Sequence, residues 1–273
     1  MTSLKGKVAL VTGGGTGIGK GVVEALIGRG IDKIAIAAAD FVDLAANQYK
    51  TKNIGGYTAA KKVCEDLKKK GVDAIAIETN ITKPADVKNM VKETIDRFGK
   101  IDILVNVAGL ITCKMVEDLT EEDWDSVVTT NAKGTFLVDQ SVIKQMKKQG
   151  EGRIINFSSI AGKTGYATLA HYCASKYAVI GFTVSLAKEL LHDGITVNSV
   201  APGIVATKMW EDLADSLALP GESREDSYKR NVGIMIPQGT DQTAEDMAAA
   251  VLFFIDNPHV TGQTLNVDGG CCC

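Results

Sequence analysis

An apolar run, a glycine-rich turn and a helical pattern follow one another at the N-terminus, and they constrain the fold more than any other stretch. Residues 7–12 (KVALVT) are apolar and β-branched, as in a buried strand. The turn at residues 13–19 (GGGTGIG) leads into a helical pattern at residues 20–29. Such a turn directs backbone N–H groups and the positive end of a helix dipole at a phosphate, and glycine permits the close approach. The segment therefore predicts a phosphate-binding strand, turn and helix.

Two nucleotide-binding motifs compete in this turn. Residues 14–20 match the first part of a P-loop, G-x-x-x-x-G-K, but Gly21 stands where a Ser or Thr hydroxyl should hold Mg²⁺. The common dinucleotide fingerprint, G-x-G-x-x-G, is not matched in register either. Because Gly21 lacks the hydroxyl that a P-loop needs, the sequence disfavours a nucleoside triphosphatase. The pattern actually present is T-G-x-x-x-G-x-G, formed by Thr12, Gly13, Gly17 and Gly19.

Strand and helix patterns alternate along the rest of the chain. Helical patterns cover residues 57–70, a segment opened by Pro84, residues 120–148 behind a capping box, a segment from Ala170, and residues 244–256. The alternation predicts an α/β fold with a doubly wound parallel sheet of about seven strands and helices on both faces. The further strand runs lie at residues 33–38, 72–78, 101–105, 153–157, 195–200 and 264–267.

The pattern contains no linker and no internal repeat, so we predict one domain over residues 1–273. Residues 204–236 are irregular, with short helical patches and many charges. Long loops at the carboxyl ends of parallel strands line ligand crevices, so we interpret this segment as a substrate lid. Residues 41–56 also lack a clear period and are expected to form an extended loop.

Charge and composition argue against several classes of partner. The net charge of −3 gives no electrostatic footprint for nucleic acid or an anionic membrane. No apolar run reaches the roughly 18 residues of a membrane span, and the N-terminus has no apolar signal core. The six cysteines show neither a disulfide framework nor zinc spacing, so we expect reduced thiols in the cytoplasm and no metal. The cysteines at residues 271–273 form either a metal-binding or oxidisable tail or an unstructured end.

Three polar residues around the start of the helix from Ala170 predict a proton-transfer site. Tyr172 and Lys176 lie at i and i+4, so one helix face brings an ammonium beside a phenol. Ser159 lies in the loop before that helix and adds a hydroxyl. Taken alone, the Tyr-x-x-x-Lys spacing also occurs by chance in many helices.

Asp40 follows the second strand at about 20 residues beyond the glycines, where such folds place an acid that accepts from a ribose 2′-OH. A carboxylate there repels a 2′-phosphate. The alternative is that Asp40 is a solvated loop residue, because the end of the second strand is hard to fix within its run of alanines.

In their order along the chain, these motifs resemble the short-chain dehydrogenase/reductase family over essentially the whole length. The resemblance implies a single-domain Rossmann fold. Within the family the chain looks most like acetoin/diacetyl reductases and polyol dehydrogenases of the sorbitol and butanediol type. The matching pieces are TGGGTGIG at 12–19, NVAG at 106–109, Asn131, Ser159, YCASK at 172–176, VNSVAPG at 197–203 and VDGG at 267–270.

The resemblance implies a catalytic tetrad of Asn131, Ser159, Tyr172 and Lys176. Tyr172 would act as general acid/base, with its phenolate favoured by Lys176 and by the positive nicotinamide ring. Lys176 would also hydrogen-bond the nicotinamide ribose. Ser159 would hold the substrate oxygen, with Ser158 as the alternative serine. Asn131 would interrupt its helix locally and hold a water that relays protons to Lys176.

The resemblance also implies the cofactor contacts. Gly13, Gly17 and Gly19 would bind the phosphates, and Ile18 would cover the pyrophosphate. NAD is expected over NADP, because Thr16 stands where NADP-preferring members often carry a basic residue and Asp40 follows the second strand. The further contacts implied are Asp40, Asn80, Ile81, Asn106, Ala108, Gly109, Tyr172, Lys176, Pro202, Gly203, Ile204 and Thr207.

Three positions depart from the family pattern. Asn80 replaces an aspartate that accepts from the adenine amino group, although its amide oxygen can still accept. Val107 replaces the second asparagine of Asn-Asn-Ala-Gly and removes a hydrogen bond that supports the sheet. The insertion after Asp40 is long for the family and weakens the assignment of Asp40.

The function implied is an NAD(H)-dependent oxidoreductase that interconverts a small secondary alcohol or polyol and its ketone. Gly165 and Trp210 are the expected substrate contacts, with lid packing as the alternative for Trp210. Three alternatives remain open: a 3-oxoacyl-thioester reductase, a hydroxysteroid dehydrogenase, and a non-catalytic dinucleotide-sensing regulator. For the first of these, the acidic lid disfavours an acyl-carrier-protein partner. By analogy with the family, a homotetramer or homodimer would pair through the helices that start near Thr120 and Ala170.

Overall fold

The apolar runs form one parallel sheet in a computed structural model, which describes residues 3–41 and 54–272. The strand order is β3-β2-β1-β4-β5-β6-β7. All five residues of β1 are buried, because helices cover both faces, and this explains a continuous apolar run in place of alternation. The strands are β1 (Val8–Thr12), β2 (Lys33–Ala38), β3 (Asp73–Glu78), β4 (Ile103–Asn106), β5 (Gly152–Phe157), β6 (Ile195–Pro202) and β7 (Thr264–Val267).

Two layers of helices enclose this sheet. One core contains residues of α1, α2 and α9, and the other contains residues of α3, α5 and α6. No helix in the described part of the chain is both long and apolar enough to cross a membrane. The helices are α1 (Gly17–Gly28), α2 (Gly56–Lys69), α3 (Pro84–Phe98), α4 (Glu121–Val128), α5 (Gly134–Gln149), α6 (Ala170–Glu189), α7 (Lys208–Ser216), α8 (Arg224–Met235) and α9 (Ala244–Asp256).

The order of strands reverses between β1 and β4, and this reversal places the ligand site. β1 pairs with β2 on one side and with β4 on the other, with Leu10 opposite Ala35 and Leu104. In open parallel sheets, ligands bind outside the carboxyl ends of the strands at such a switch point. The glycine turn after β1 and the loop after β4 both lie there.

Most elements agree with the sequence predictions, including the doubly wound sheet and the capping box at Thr120 and Asp123. Two predictions differ. The helix predicted over residues 120–148 is divided by a π-helical segment, Thr129–Lys133, which contains Asn131. The segment at 204–236, predicted to be irregular with short helical patches, is more regular than expected and contains α7 and α8. The insertion after Asp40 falls largely on residues 42–53, outside the described residues, as does Cys273.

Candidate active site

A cavity opens at the carboxyl ends of the central strands and brings the glycine turn together with the polar residues of α6. Its lining includes Gly13 and Gly17 on one side and Ser159, Tyr172 and Lys176 on the other. The predicted phosphate-binding turn and the predicted proton-transfer residues therefore face one common space.

Gly13 and Gly19 in the glycine turn leave little room for a Cβ. Gly13 has a φ of +71°, and a Cβ there would lie 3.0 Å from the backbone N of Ala108. A Cβ on Gly19 would collide with the carbonyl oxygen of Gly13. Thr16 precedes α1 without a capping hydrogen bond from its side chain, so the first N–H groups of α1 remain available to an anion. These features fit the pyrophosphate of a dinucleotide.

Tyr172, Ser159 and Lys176 form the polar centre of the cavity. Tyr172 and Lys176 are both buried, at 9% and 6% exposed. The Lys176 Nζ lies 5.6 Å from the centre of the Tyr172 ring and donates to the Phe157 carbonyl oxygen at 3.0 Å. The Ser159 hydroxyl hydrogen-bonds the Tyr172 phenol and accepts from the backbone N of Ala161 at 3.1 Å. Phenol, hydroxyl and ammonium thus lie within one contact network.

Burial controls the protonation of this centre. Burial raises the pKa of Tyr172 to about 12, against the opposing effect of the hydrogen bond from Ser159. Burial also lowers the pKa of Lys176 to about 8. The resemblance implied that Lys176 would favour the phenolate, but in the structure the desolvation of Tyr172 outweighs its neighbours. At neutral pH Tyr172 therefore keeps its proton and is suited to act as an acid.

Asn131 fixes the loop that follows β4. Its amide nitrogen donates to the Leu110 carbonyl oxygen at 2.8 Å and to the Ser175 hydroxyl at 3.0 Å. Its amide oxygen accepts from the backbone N of Leu110 at 2.8 Å. A Cβ on Gly109 would lie 3.6 Å from the Lys176 Nζ, so this loop borders the ammonium. The helix interruption at Asn131 is confirmed, and its proton-relaying water stays a prediction.

Comparison with known proteins agrees with this geometry. A profile of the family described as short chain dehydrogenase matches residues 43–218. The chain belongs to the short-chain dehydrogenase/reductase family. It is thus an oxidoreductase of the class that acts on a CH–OH or ketone group with a nicotinamide dinucleotide.

Relatives that align over nearly the whole chain carry one activity in their names. A 3-oxoacyl-[acyl-carrier-protein] reductase of Synechocystis sp. is 38% identical over 273 residues, which cover 99% of this chain and 98% of the relative. The 3-oxoacyl-[acyl-carrier-protein] reductase FabG of Staphylococcus aureus is 37% identical over 266 residues, 97% of each chain. These relatives are not the acetoin/diacetyl reductases or polyol dehydrogenases that the sequence was expected to resemble most.

Solved structures of short-chain dehydrogenase/reductases have the same fold. Levodione Reductase matches with a TM-score of 0.86 and 28% identity over 97% of both chains. A short-chain type dehydrogenase/reductase from Mycobacterium marinum matches with a TM-score of 0.85 and 31% identity, covering 99% of this chain and 97% of that one.

The choice between the two serines in this short-chain dehydrogenase/reductase follows from where their hydroxyls point. Ser158 donates to the carbonyl oxygen of Lys176 at 2.9 Å and is held by that helix. Ser159 contacts Tyr172 instead. The geometry favours Ser159 as the residue beside the reacting oxygen.

Most of the predicted cofactor residues surround the cavity, but Asn106 does not offer its side chain to it. The Asn106 amide nitrogen donates to Asp139 at 2.6 Å and to the Asn156 amide oxygen at 3.0 Å, within the buried layer beneath the sheet. Its side chain is therefore engaged within the protein, and its predicted place on the adenosine side stays a prediction. The residues that line the cavity as predicted are Gly13, Gly17, Ile18, Gly19, Ala108, Gly109, Pro202, Gly203 and Thr207.

Two predicted adenosine contacts have their acceptor atoms engaged within the chain. The Asn80 amide oxygen accepts from the backbone N and hydroxyl of Thr82, at 3.0 and 2.7 Å. The Asp40 carboxylate accepts from the backbone N and hydroxyl of Thr58, both at 2.7 Å. Burial raises the pKa of Asp40, but the hydrogen bonds from Thr58 outweigh it, so the pKa lies below its ordinary value. Both cofactor roles stay predictions, as do those of the buried Ile81 and Ile204.

The substrate side of the cavity differs from the prediction at one residue. Gly165 is exposed, and its neighbour Tyr166 lines the cavity in its place. Trp210 both lines the cavity and packs edge-to-face on Tyr228, with ring centres 6.5 Å apart, so substrate contact and lid packing are compatible. The sequence did not identify most of the apolar residues that line the substrate side of the cavity. Their only distinguishing feature in the sequence is that they lie near the catalytic positions or in the lid. These are Ile111, Tyr166, Leu169, Leu213 and Met235; Met209, which the sequence singles out together with Trp210, lines the cavity as well.

Proposed function

We propose that the protein reduces the ketone of a 3-oxoacyl thioester with a reduced nicotinamide dinucleotide. The observation that carries the proposal is the apolar wall beside the acid. Tyr172 packs in one buried cluster with Ile111, Leu169 and Leu213. An apolar wall suits an acyl chain, whereas it leaves the hydroxyls of a polyol without partners. The names of the relatives point to the same substrate class.

Tyr172 protonates the carbonyl oxygen during reduction. A reduced nicotinamide dinucleotide, when bound, would supply the hydride to the carbonyl carbon. Ser159, which already hydrogen-bonds Tyr172, holds the same oxygen. The Tyr172 proton then passes to the oxygen as negative charge develops on it. Lys176, charged below a pKa of about 8, stabilises the phenolate that remains.

We assign the cofactor as NAD(H), with NADP(H) as the alternative. Asp40 lies two residues beyond the end of β2. Its carboxyl group is ionised, since its pKa lies below its ordinary value. A carboxylate at this position repels a 2′-phosphate. Each carboxylate oxygen of Asp40 has more than one lone pair, so it can accept a hydrogen bond from a ribose hydroxyl in addition to the one from Thr58.

The lid favours a thioester on a small carrier over one on an acidic carrier protein. Each of the four basic residues of the lid pairs with a carboxylate of the same lid, so none presents an uncompensated charge to a partner. The pairs are Lys208 with Asp212, Arg224 with Asp215, Lys229 with Glu225, and Arg230 with Glu222. We expect a pantetheine-type thioester to be accepted without a carrier protein.

We also expect a homo-oligomer that pairs through α4, α5 and α6. Trp124 and Phe136 are exposed there, and Phe136 packs edge-to-face with Phe182 at 5.9 Å. Light scattering of the parent and of Phe136→Glu tests this: the variant is expected to have the smaller mass, and equal masses would refute this interface.

A substrate panel tests the proposed function. Absorbance of the reduced nicotinamide is followed with NADH and NADPH in parallel, using acetoacetyl-CoA, an acetoacetyl carrier protein, acetoin, sorbitol and a hydroxysteroid. We expect turnover of acetoacetyl-CoA with NADH, at a kcat/KM at least equal to that of the carrier-protein substrate. Turnover of acetoin or sorbitol alone would refute the thioester assignment. A preference for NADPH would refute the role of Asp40.

A further inference from the structure

The C-terminal tail contacts the wall of the substrate cavity through a thiol. Tyr166 lines the cavity on the loop between β5 and α6. Its hydroxyl oxygen lies 3.1 Å from the Sγ of Cys271, in a hydrogen bond between residues 105 positions apart. The ring packs on the cluster that contains Leu169, Tyr172 and Leu213. Tyr166 therefore spans from the catalytic loop to the tail.

The tail is held in place by its own contacts. The Asp268 carboxylate accepts from the backbone N of Gly270 at 3.1 Å and from that of Cys272 at 3.0 Å. The Asn266 amide donates to the Cys272 carbonyl oxygen at 2.9 Å. Cys271 packs with the lid residues Val232 and Ile236. The thiol thus occupies a defined position at the junction of tail and lid.

We propose that Tyr166 determines how long an acyl substituent the cavity accepts, and that Cys271 is the positioning residue that holds the Tyr166 ring across the cavity. The proposal rests on the proposed function for the choice of substrate. A tyrosine ring at the wall removes space that a longer chain needs, and the hydrogen bond to Cys271 restrains the ring from turning out of the way.

The chemistry of the pair distinguishes its two members. Removal of the ring opens space directly, whereas removal of the thiol only frees the ring. A serine at position 271 keeps a hydrogen-bonding group of similar size, since hydroxyl and thiol both donate and accept. The phenol stays neutral, because burial raises the pKa of Tyr166.

The test compares kcat/KM for 3-oxoacyl thioesters of increasing chain length. In Tyr166→Ala we expect the ratio of kcat/KM for a long substrate to kcat/KM for a short one to rise about tenfold or more, which is about the discrimination that one methylene gives in an apolar pocket. The change should come from a lower KM for the long substrate. Tyr166→Phe and Cys271→Ala are expected to shift the ratio in the same direction by less, and Cys271→Ser to restore the parent ratio. Tyr177→Phe, which removes a phenol from an exposed position on α6, serves as the control.

An unchanged ratio in Tyr166→Ala would overturn the proposal, as would a Cys271→Ser variant that behaves like Cys271→Ala. Thermal unfolding and cofactor binding of each variant show whether it is folded. If the parent protein turns over no thioester, the proposed function is wrong. The same ratio, measured with linear methyl ketones of increasing length, then decides the proposal for Tyr166 independently.

Discussion

Asp139 makes the stability of this protein depend on pH near neutrality. Its side chain is 0% exposed on α5 and contacts only neutral amides within the described cluster. Asn106 donates to one carboxyl oxygen at 2.6 Å and Asn156 to the other at 2.9 Å. Burial raises the pKa of Asp139 to about 7, although both hydrogen bonds oppose the rise.

The size of the effect follows from linkage. Between the ordinary carboxyl pKa of 3.8 and about 7, the folded chain binds a proton that the unfolded chain has lost. The free energy of unfolding therefore falls as pH rises through this window and stays low above it. At about 1.4 kcal/mol per pKa unit, the total loss is about 4 kcal/mol, of which about 3 kcal/mol falls between about pH 5 and about pH 8.

Asp139→Asn removes the titrating group and with it this slope. The new amide places an N–H donor among the amides of Asn106 and Asn156, but that cost is the same at every pH. Urea unfolding at about pH 5 and about pH 8 gives the two free energies for parent and variant. We expect the variant to gain about 3 kcal/mol relative to the parent between the two conditions.

Glu222→Gln is the matched control. The hydrogen bond from Arg230 lowers the pKa of Glu222 to about 2, below the tested window, so the cost of that variant should be nearly equal at both pH values. Parallel pH dependences for the parent and Asp139→Asn would refute the reasoning, because they would mean that Asp139 is ionised in the folded chain at neutral pH.

Three further predictions concern the site. Gly19→Ala is expected to weaken dinucleotide binding by about tenfold or more, because the new Cβ would collide with Gly13. Titration calorimetry measures the affinity. Gly28→Ala is the control, because its Cβ would meet no atom within 4 Å and should leave binding unchanged. Turnover should fall as pH rises through about 8, since Lys176 then loses its charge, and a flat kcat profile to higher pH would contradict this. Asp40→Asn should raise kcat/KM with NADPH relative to NADH, and an unchanged ratio would exclude Asp40 as the selecting residue.

Sequence alone recovered the elements whose pattern is long and locally punctuated. The bounds of α9 and β7 were predicted as the structure has them, because each apolar run ends at a clear change of pattern; the bounds of β2 also agree, although its run of alanines left the strand end open. For the lid, the sequence predicted only short helical patches within an irregular segment, since charged residues are frequent in α7 and α8 and only a few positions, such as Leu213 and Val232, are buried.

The site was predictable in its parts but not in its contacts. Tyr172 and Lys176 lie on one helix, so their spacing placed them together. Asn106, Asn156 and Asp139 form a cluster that joins β4, β5 and α5. A local sequence pattern does not predict such a contact between separate elements. The same holds for Tyr166 and Cys271. The protonation of Tyr172 depends on burial, which appears only when the layers are assembled.

The central claim is that Tyr172 supplies the proton in an apolar cavity, and Tyr172→Phe tests it most directly. Single-turnover reduction of acetoacetyl-CoA is followed by the absorbance of the reduced nicotinamide in the parent, in Tyr172→Phe and in the exposed control Tyr177→Phe, with dinucleotide binding measured for each. We expect Tyr172→Phe to bind the dinucleotide and to lose about 10²–10⁴-fold in rate, with Tyr177→Phe like the parent. A Tyr172→Phe variant that reduces the thioester at the parent rate would contradict the account.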